Sequence, residues 1–248
     1  MTRQNNCGAC RDGHGFSQAI TMAFQPIVDV RDKTVFAYEA LVRGEDGSSA
    51  AQVLASVDAD NRYAFDQACR IRALECAVEV RLPAMVSINF LPNAVYNPEH
   101  CLRATLSAAQ RVGWPLKDVI FEVTEHEIIT DHQHLLSILT TYRQRGFKTA
   151  IDDFGAGYAG LNLLADFQPD LLKLDIGLIR HVDTDRVRQR TIHHMLRLCE
   201  DIGVQVIAEG VERPEESAAL ADLGVALQQG FLFAHPVVGS APVARFPV

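Results

Sequence analysis

The 248-residue sequence predicts an α/β fold in which repeated β–α units close into a barrel with helices outside. Short apolar segments alternate with longer amphipathic ones along nearly the whole chain, which is typical of such units. Polar residues also follow most of the predicted strands. No G-x-G-x-x-G motif follows the first strand, so a dinucleotide-binding fold has little support. An open doubly wound sheet remains the alternative.

The opening of the chain predicts a hairpin followed by a long helix. Residues 23–28 and 35–42 are apolar enough for two strands, and the polar segment 29–33 between them predicts a turn. Residues 59–80 carry apolar side chains at three- and four-residue spacing, which predicts a helix.

The rest of the chain predicts regular β–α units. Predicted strands cover 85–90, 119–123, 147–151, 171–174, 204–208 and 225–228. Predicted helices cover 98–112, 131–145, 161–165 and 213–223, with helical sequence from the strand at 171–174 to 203. We expect a short leader over 1–20 and one domain over 21–248, whose tail from 237 lies over the surface.

Composition and charge exclude several classes of protein. The chain is 48% hydrophobic and 22% charged, so it can bury a sizeable core. A net charge of -8 disfavours long nucleic acids, which bind to basic surfaces. No apolar run approaches the roughly 18 residues of a membrane span, and residues 1–15 lack a signal-peptide core. We therefore expect a cytoplasmic protein.

The leader contains a C-x-x-C motif at Cys7 and Cys10, with His14 four residues on. A zinc site usually needs four ligands, and only three are local here. Two interpretations of this motif are open. It binds a metal or senses redox state, or it belongs to a flexible leader whose thiols have no specific role. Other cysteines lie within helical sequence, where small buried thiols are common.

Polar side chains follow the predicted strands near their carboxyl ends. In a β/α barrel these positions meet at one rim, where catalytic residues lie. A single carboxylate there would ordinarily be a surface charge, but a set repeated over successive strands is difficult to explain in that way. The set comprises Glu39, Asn89, Glu122, Asp152, Asp153, Lys173, Glu209 and Gln229.

Carboxylates gathered at one rim would repel each other and lose hydration, which is costly without compensation. Hard divalent cations such as Mg²⁺ and Mn²⁺ prefer oxygen ligands and would resolve the conflict. Two ions roughly 3.5–4 Å apart are usual for phosphodiester hydrolysis. Lys173 lies within an apolar strand, where a cation needs a carboxylate or phosphate partner.

These motifs resemble the EAL domain, whose Glu-Ala-Leu triplet stands here as Glu39-Ala40-Leu41. The resemblance runs from about residue 24 to 236. It implies a modified TIM (β/α)8-type barrel whose first strand is antiparallel to the others. It also implies a homodimer that hydrolyses cyclic di-GMP to linear pGpG with two Mg²⁺ or Mn²⁺ ions and is inhibited by Ca²⁺.

The resemblance also implies roles for individual residues. Glu39, Asn89, Glu122 and Asp152 match the ligands of one ion, and Asp152, Asp153 and Glu209 those of a second. Lys173 would hold the attacking water, with Glu39 and Glu209 also catalytic, Asp175 supporting that site and Gln229 binding near the second ion's water. Arg43 would bind a substrate phosphate, and Gln25 and Leu41 a guanine base. Glu125 would anchor the loop after Asp153.

That loop departs from the family pattern, because Ala156, Ala159 and Gly160 replace hydroxyl residues. Every matched metal ligand is present, which favours an active enzyme over a messenger receptor or another metal-dependent hydrolase on the same barrel. The histidines do not follow strands, and no His-Asp dipeptide occurs. With only about 20 residues before the match, we expect regulation to come from a partner protein, oligomerisation or the leader.

Overall fold

A closed barrel of eight strands forms the centre of the computed structural model, which describes residues 15–124, 131–157 and 160–246. Helices lie outside the barrel between successive strands. The strands are β1 (Ile20–Asp29), β2 (Thr34–Gly44), β3 (Met85–Asn89), β4 (Val119–Thr124), β5 (Lys148–Phe154), β6 (Leu171–Leu174), β7 (Gln205–Ala208), β8 (Leu227–Gln229) and an additional β9 (Val237–Val238).

The helices begin where side chains cap their first turns. Asn97 and Asp131 each accept a hydrogen bond from a backbone N–H three residues on, and Asp185 accepts two. The helices are α1 (Ala50–Leu54), α2 (Arg62–Glu79), α3 (Pro98–Val112), α4 (His132–Gln144), α5 (Gly160–Asp166), α6 (Ile176–Ile179), α7 (Arg186–Asp201) and α8 (Pro214–Leu223), with 3-10 turns at Pro92–Ala94 and Leu116–Asp118.

The barrel closes through its first strand, which runs antiparallel to both neighbours, β2 and β8. Strands β2 to β8 are all parallel. Their carboxyl ends therefore open at one rim, which we call the mouth. The predicted barrel with an antiparallel first strand is confirmed, and the open sheet is excluded.

Two apolar clusters hold the fold together. The larger lies between the barrel and the surrounding helices and includes Phe24, Leu74 and Tyr142. The smaller fills the lower half of the barrel interior. This part of the interior is thus filled by side chains and is not a pore.

Several elements differ from the sequence-based expectation. The strand predicted to end at 151 continues to Phe154, and the helical sequence after β6 divides into α6 and α7. His181, with φ of 63°, lies between these two helices. Helix α1 and strand β9 were not predicted. Part of the tail joins the sheet, because β9 pairs with Ala23 and Phe24 of β1.

Among the residues described, no helix combines the length and apolar character needed to cross a membrane. Cys69, Cys76, Cys101 and Cys199 are free and buried. The leader motif at Cys7 and Cys10 lies outside the described residues.

Candidate metal centre at the barrel mouth

Side chains inside the barrel form an apolar layer and, above it, a polar layer. Ala37 and Ile120 belong to the apolar layer. Two residues further along their strands, the same face carries Glu39 and Glu122, since strand side chains alternate between faces. The same step leads from Ala150 to Asp152, from Leu171 to Lys173, from Ile207 to Glu209 and from Leu227 to Gln229.

Lys173 is the centre of the polar layer and is fully buried. Its Nζ lies 2.6 Å from Glu209 Oε1, 3.0 Å from Glu122 Oε2, 3.0 Å from Asp152 Oδ1 and 3.6 Å from Glu39 Oε2. Burial acts to lower the pKa of Lys173, but the surrounding carboxylates outweigh it and raise this pKa well above its usual value. The ammonium therefore stays protonated.

The carboxylates divide into two groups that share Asp152. Ligand oxygens of Glu39, Glu122 and Asp152 all lie within 4.8 Å of one another, and so do those of Asp152, Asp153 and Glu209. These are the carboxylates that the resemblance assigns to a first and a second ion.

Asp152 and Asp153 reach the same site although consecutive strand residues ordinarily face opposite sides. The pairing of β5 with β6 is irregular between Ile151 and Phe154, and Asp153 has a φ of 54°. The Asp153 N–H donates to Asp152 Oδ1 at 3.0 Å. This local distortion turns the second carboxylate towards the mouth, and strain of this kind is common at functional sites.

Neutral groups orient the carboxylates by hydrogen bonds. Asn89 Nδ2 and Gln229 Nε2 donate to the two oxygens of Glu39 at 2.9 and 2.7 Å, and Gln229 Nε2 also lies 3.3 Å from Gln25 Oε1. Ser87 Oγ donates to Glu122 Oε1 at 2.5 Å. Sequence reasoning missed Ser87, although it lies two residues before Asn89 on the same strand face.

Burial and the charge of Lys173 act in opposite directions on the proton affinities of these carboxylates. Burial raises the pKa of Glu122 to about 8, helped by Glu39 and Asp152 and opposed by Lys173. Burial also raises the pKa of Glu209 well above its usual range. Burial acts in the same direction on Asp152, but Lys173 and hydrogen bonds outweigh it and lower this pKa.

A cavity of about 260 Å³ opens beside the carboxylates. Four of the five residues predicted to contact substrate line it, namely Gln25, Leu41, Asp175 and Gln229, and Arg43 does not. Asp175 Oδ1 also accepts from Gly177 N–H at 2.7 Å. The cavity walls also contain Glu212 and Phe231, which were not predicted.

Arg43 lies two residues beyond Leu41 on the same strand face and is half-buried. Its Nη1 donates to the carbonyl of Val42 at 2.7 Å. Arg43 therefore lies near the carboxyl end of β2, beyond Glu39 and Leu41, and has no carboxylate partner among the described residues. Glu125, the predicted loop anchor, lies outside those residues.

The donor set fits hard divalent cations. Both groups offer carboxylate oxygens only, and neither includes histidine or cysteine in the described parts of the chain. Mg²⁺ and Mn²⁺ prefer such ligands, whereas zinc usually takes nitrogen or sulfur. Additional positive charge would relieve the excess negative charge around Lys173.

Known proteins share this architecture. The EAL domain family model matches residues 15–236. The blue light- and temperature-regulated antirepressor BluF of Escherichia coli is 32% identical over 226 residues, which are 91% of this chain and 56% of that protein. Cyclic di-GMP phosphodiesterase PdeR of the same organism is 38% identical over 128 residues, 52% of this chain and 19% of that protein. The chain thus spans about half the length of BluF and a smaller share of PdeR.

Solved structures extend the likeness to the whole fold. A standalone EAL protein of Vibrio cholerae O395 in its c-di-GMP-bound form has a TM-score of 0.90 and 49% identity, covering 93% of this chain and 98% of that one. BlrP1 of Klebsiella pneumoniae in a manganese and cyclic di-GMP complex has a TM-score of 0.88 and 37% identity, covering 95% of this chain and 60% of that one. With the family model matching most of its length, this chain belongs to the EAL domain family.

Proposed function

We propose that this protein hydrolyses cyclic di-GMP to linear pGpG with two Mg²⁺ or Mn²⁺ ions bound at the mouth. The observation that carries the proposal is the pair of carboxylate groups sharing Asp152 around the buried Lys173. Relatives named as cyclic di-GMP phosphodiesterases and neighbours solved with cyclic di-GMP support this choice of substrate.

The carboxylates would hold the ions in two positions. Glu39, Glu122 and Asp152, together with Asn89, would bind the first ion. Asp152, Asp153 and Glu209 would bind the second. The bound ions would neutralise phosphate charge and lower the pKa of a bound water. Glu39 and Glu209 would thus act in catalysis through the ions they hold.

The remaining residues would position the water and the substrate. Lys173 would donate from Nζ to the attacking water, since its raised pKa keeps it protonated and unable to act as a base. Asp175 would support this site, and Gln229 would bind near the second ion's water. The water oxygen would bond to phosphorus while the P–O3′ bond breaks, and a proton would pass to the leaving 3′ oxygen.

The rim would bind the rest of the substrate. Arg43 would hold a phosphate through its forked donors, and Gln25 and Leu41 would contact a guanine base. Ca²⁺ would inhibit, because it prefers more ligands at longer distances than Mg²⁺ does. We further propose that residues 21–248 act as one cytoplasmic domain, that Glu125 anchors the loop after Asp153, and that the chain forms a homodimer regulated by a protein partner. Sedimentation of the purified chain tests the dimer.

The decisive experiment is a turnover assay with purified protein. Wild-type protein with Mn²⁺ or Mg²⁺ should convert cyclic di-GMP to pGpG, followed by liquid chromatography, and EDTA should stop the reaction. Glu39→Ala should abolish turnover because it removes a proposed ligand. Glu215→Ala, an exposed carboxylate on α8, is the matched control and should retain activity. Wild-type-like turnover by Glu39→Ala would overturn the assignment.

A receptor without turnover is the second candidate, since BluF is described as an antirepressor and matches most of this chain. Tight binding of cyclic di-GMP with no pGpG formed under any of these metal conditions would favour the receptor. The complete set of carboxylates and Lys173 supports the enzyme.

A further inference from the structure

Helix α7 carries its charges in the reverse of the order that stabilises a helix. Its first five residues include Arg186, Arg188 and Arg190, and its last two are Glu200 and Asp201. The amino end of a helix has partial positive charge and the carboxyl end partial negative charge. Arginines at the start and acidic residues at the end are therefore unfavourable, so the stability of α7 does not explain them.

Two other helices of the protein have the favourable order. Helix α8 has Glu215 and Glu216 in its first turn, and α3 has Glu99 in its first turn and Arg111 in its last. The first turn of α7 contains no acidic residue, and its last turn contains no basic one. The charges of α7 are thus unusual within the same molecule.

Two of the α7 arginines form no ion pair among the described residues. Arg188 lies 3.2 Å from Asp185, but Arg186 and Arg190 are exposed and have no such partner in the part of the chain that the structure describes. No acidic residue occurs in α7 before Glu200. The protein as a whole has a net charge of -8. The amino half of α7 is therefore a positive surface on an acidic protein.

The exposed face of α7 also carries apolar side chains. Val187 is 75% exposed and Leu198 is 39% exposed. Leu198 follows Val187 by about three helical turns, so the two residues lie on the same face. Thr191 and His194 are exposed between them. These four residues, which we call the α7 stripe, have the spacing of a face that packs against another helix.

An open groove of about 620 Å³ continues this surface between α7 and α8. His193, Leu196 and Arg197 of α7 line it together with Leu223 of α8. Glu200 also lines it and lies 2.8 Å from Arg197. The groove therefore has apolar walls that can receive side chains from a helix lying along the α7 stripe.

We propose that α7 is the docking surface for an acidic amphipathic helix of a partner protein. Apolar side chains of that helix cover the α7 stripe, and the glutamates or aspartates beside them pair with Arg186 and Arg190. The inference gives a surface and a chemistry to the protein partner proposed above. It does not depend on the reaction carried out at the mouth.

Other occupants fit this surface less well. Each α7 carries four arginines and two acidic residues, so two copies packed through α7 leave positive charge in excess. Nucleic acids and anionic membranes extend beyond α7 over acidic surface, which repels them. A single acidic helix contacts the positive surface alone.

A synthetic peptide tests the surface by fluorescence anisotropy. The probe is a labelled helix of about three heptads with leucine at positions a and d and glutamate at positions e and g. Wild-type protein should bind it. Arg186→Glu with Arg190→Glu should raise the Kd by about tenfold or more, because attraction becomes repulsion. Val187→Ala with Leu198→Ala should also raise the Kd by about tenfold, because less apolar area is covered.

A matched variant controls for net charge. Arg103→Glu with Lys117→Glu makes the same change of charge at exposed positions away from α7 and should bind as wild type does. Arg186→Glu with Arg190→Glu should not lower the Tm, because glutamate is favoured near the amino end of a helix. Weaker binding by that variant then cannot come from unfolding.

Four results would overturn the docking surface. The first is no binding of the peptide to wild type, and the second is equal binding by the two charge-reversal variants. The third is tighter binding of duplex DNA or phosphatidylglycerol vesicles than of the peptide. The fourth is dissociation of a dimer by Arg186→Glu with Arg190→Glu in sedimentation, which would assign α7 to a second copy. None of these measurements uses cyclic di-GMP, so failure of the proposed hydrolysis would leave them unchanged.

Discussion

Two buried cations, Lys173 and Arg70, have opposite surroundings. Both side chains are fully buried. Arg70 pairs with one carboxylate, Asp66, at 2.7 Å and donates from Nη1 to the Tyr142 hydroxyl at 2.5 Å. Its guanidinium also faces the rings of Phe90, Phe121 and Tyr142 at 5.2–5.4 Å. One positive charge meets one negative charge within an aromatic enclosure.

Lys173 instead meets an excess of negative charge. Four carboxylates lie within 4.0 Å of its Nζ, and Asp153 belongs to the same cluster. Buried charge without full compensation is costly, and packing alone does not require it. A buried ion pair whose charges balance, such as Asp66–Arg70, supports the fold. A buried cluster with excess negative charge, such as that around Lys173, indicates a site that binds further positive charge.

The Asp66–Arg70 pair lies next to the carboxylate cluster around Lys173. Phe90 follows Asn89, Phe121 precedes Glu122, and Asp66 Oδ1 accepts from Leu91 N–H at 2.9 Å. Arg70 and its neighbours therefore pack against the ends of β3 and β4, which carry candidate ligands. Stable packing around Arg70 therefore holds the candidate ligands of β3 and β4 in position despite the free-energy cost of burying charge there.

Replacing Lys173 should give the largest effect on activity. Lys173→Met should lower kcat by about 10²- to 10⁴-fold, the range expected when a group that positions a reacting water is lost. Mn²⁺ affinity should not weaken, because the ammonium contacts the carboxylates proposed to bind the ions. Turnover assays and calorimetry measure the two quantities, with Lys148→Met at the start of β5 as control. Equal loss of substrate binding would make Lys173 a phosphate clamp instead.

Replacing Arg70 should give the largest effect on stability. Arg70→Met leaves Asp66 buried without its partner and should lower the free energy of unfolding by about 3–5 kcal/mol, measured by urea denaturation. The double variant Asp66→Asn with Arg70→Met should recover part of this loss, because no uncompensated charge remains. If Arg70→Met were stable but lost its kcat, Arg70 would belong to the reactive site and the comparison would fail.

The unbalanced cluster should also respond to pH. A carboxyl group whose pKa is raised by folding stabilises the folded protein when protonated, and this contribution is lost as pH rises through the folded pKa. For Glu122 that loss runs from about pH 5 to about 8, and the raised pKa of Glu209 acts in the same direction. The lowered pKa of Asp152 matters only in more acidic solution.

Metal-free protein should therefore lose a few degrees of Tm between pH 5 and 8, measured by scanning calorimetry. Stabilisation by Mn²⁺ should increase over the same range, since binding displaces protons. Glu122→Gln should flatten the dependence on pH. A Tm of metal-free wild type that rises steadily to pH 8 would contradict the raised pKa of Glu122 and Glu209.

The candidate site could be predicted from sequence because each polar residue stands in or directly after an apolar strand. Glu122 and Lys173 are surrounded by apolar neighbours, and the parallel arrangement brings such positions to one rim. Their individual partners could not be predicted. The hydrogen bond from Gln229 to Glu39 joins residues 190 positions apart and depends on closure of the barrel through β1.

Other features were missed for identifiable reasons. Asp66 and Arg70 lie four residues apart on the buried face of α2, a spacing that allows an ion pair, whereas apolar periodicity predicts only the helix. The left-handed backbone conformation at Asp153 could not be predicted, because the residue there is not a glycine. Strand β9 has only two residues and forms because β1 leaves an unpaired edge beyond its contact with β8.

Replacing a third cation, Arg43, should give the smallest effect of these substitutions. It is half-buried near the end of β2 and makes no ion pair among the described residues. Its Nη1 donates to the Val42 carbonyl, and no carboxylate there competes with a substrate phosphate for its charge. Arg43→Ala should raise KM about tenfold, or about 1.4 kcal/mol, with kcat within about twofold.

Arg43→Lys should lie between wild type and Arg43→Ala, because lysine keeps the charge but not the forked donors. Arg103→Ala, an exposed position on α3, serves as the control. A loss of kcat with unchanged KM would place Arg43 with Lys173 at the reacting phosphate. In that case, the charge balance around a cation would not distinguish a residue that acts on the reacting phosphate from one that only binds substrate.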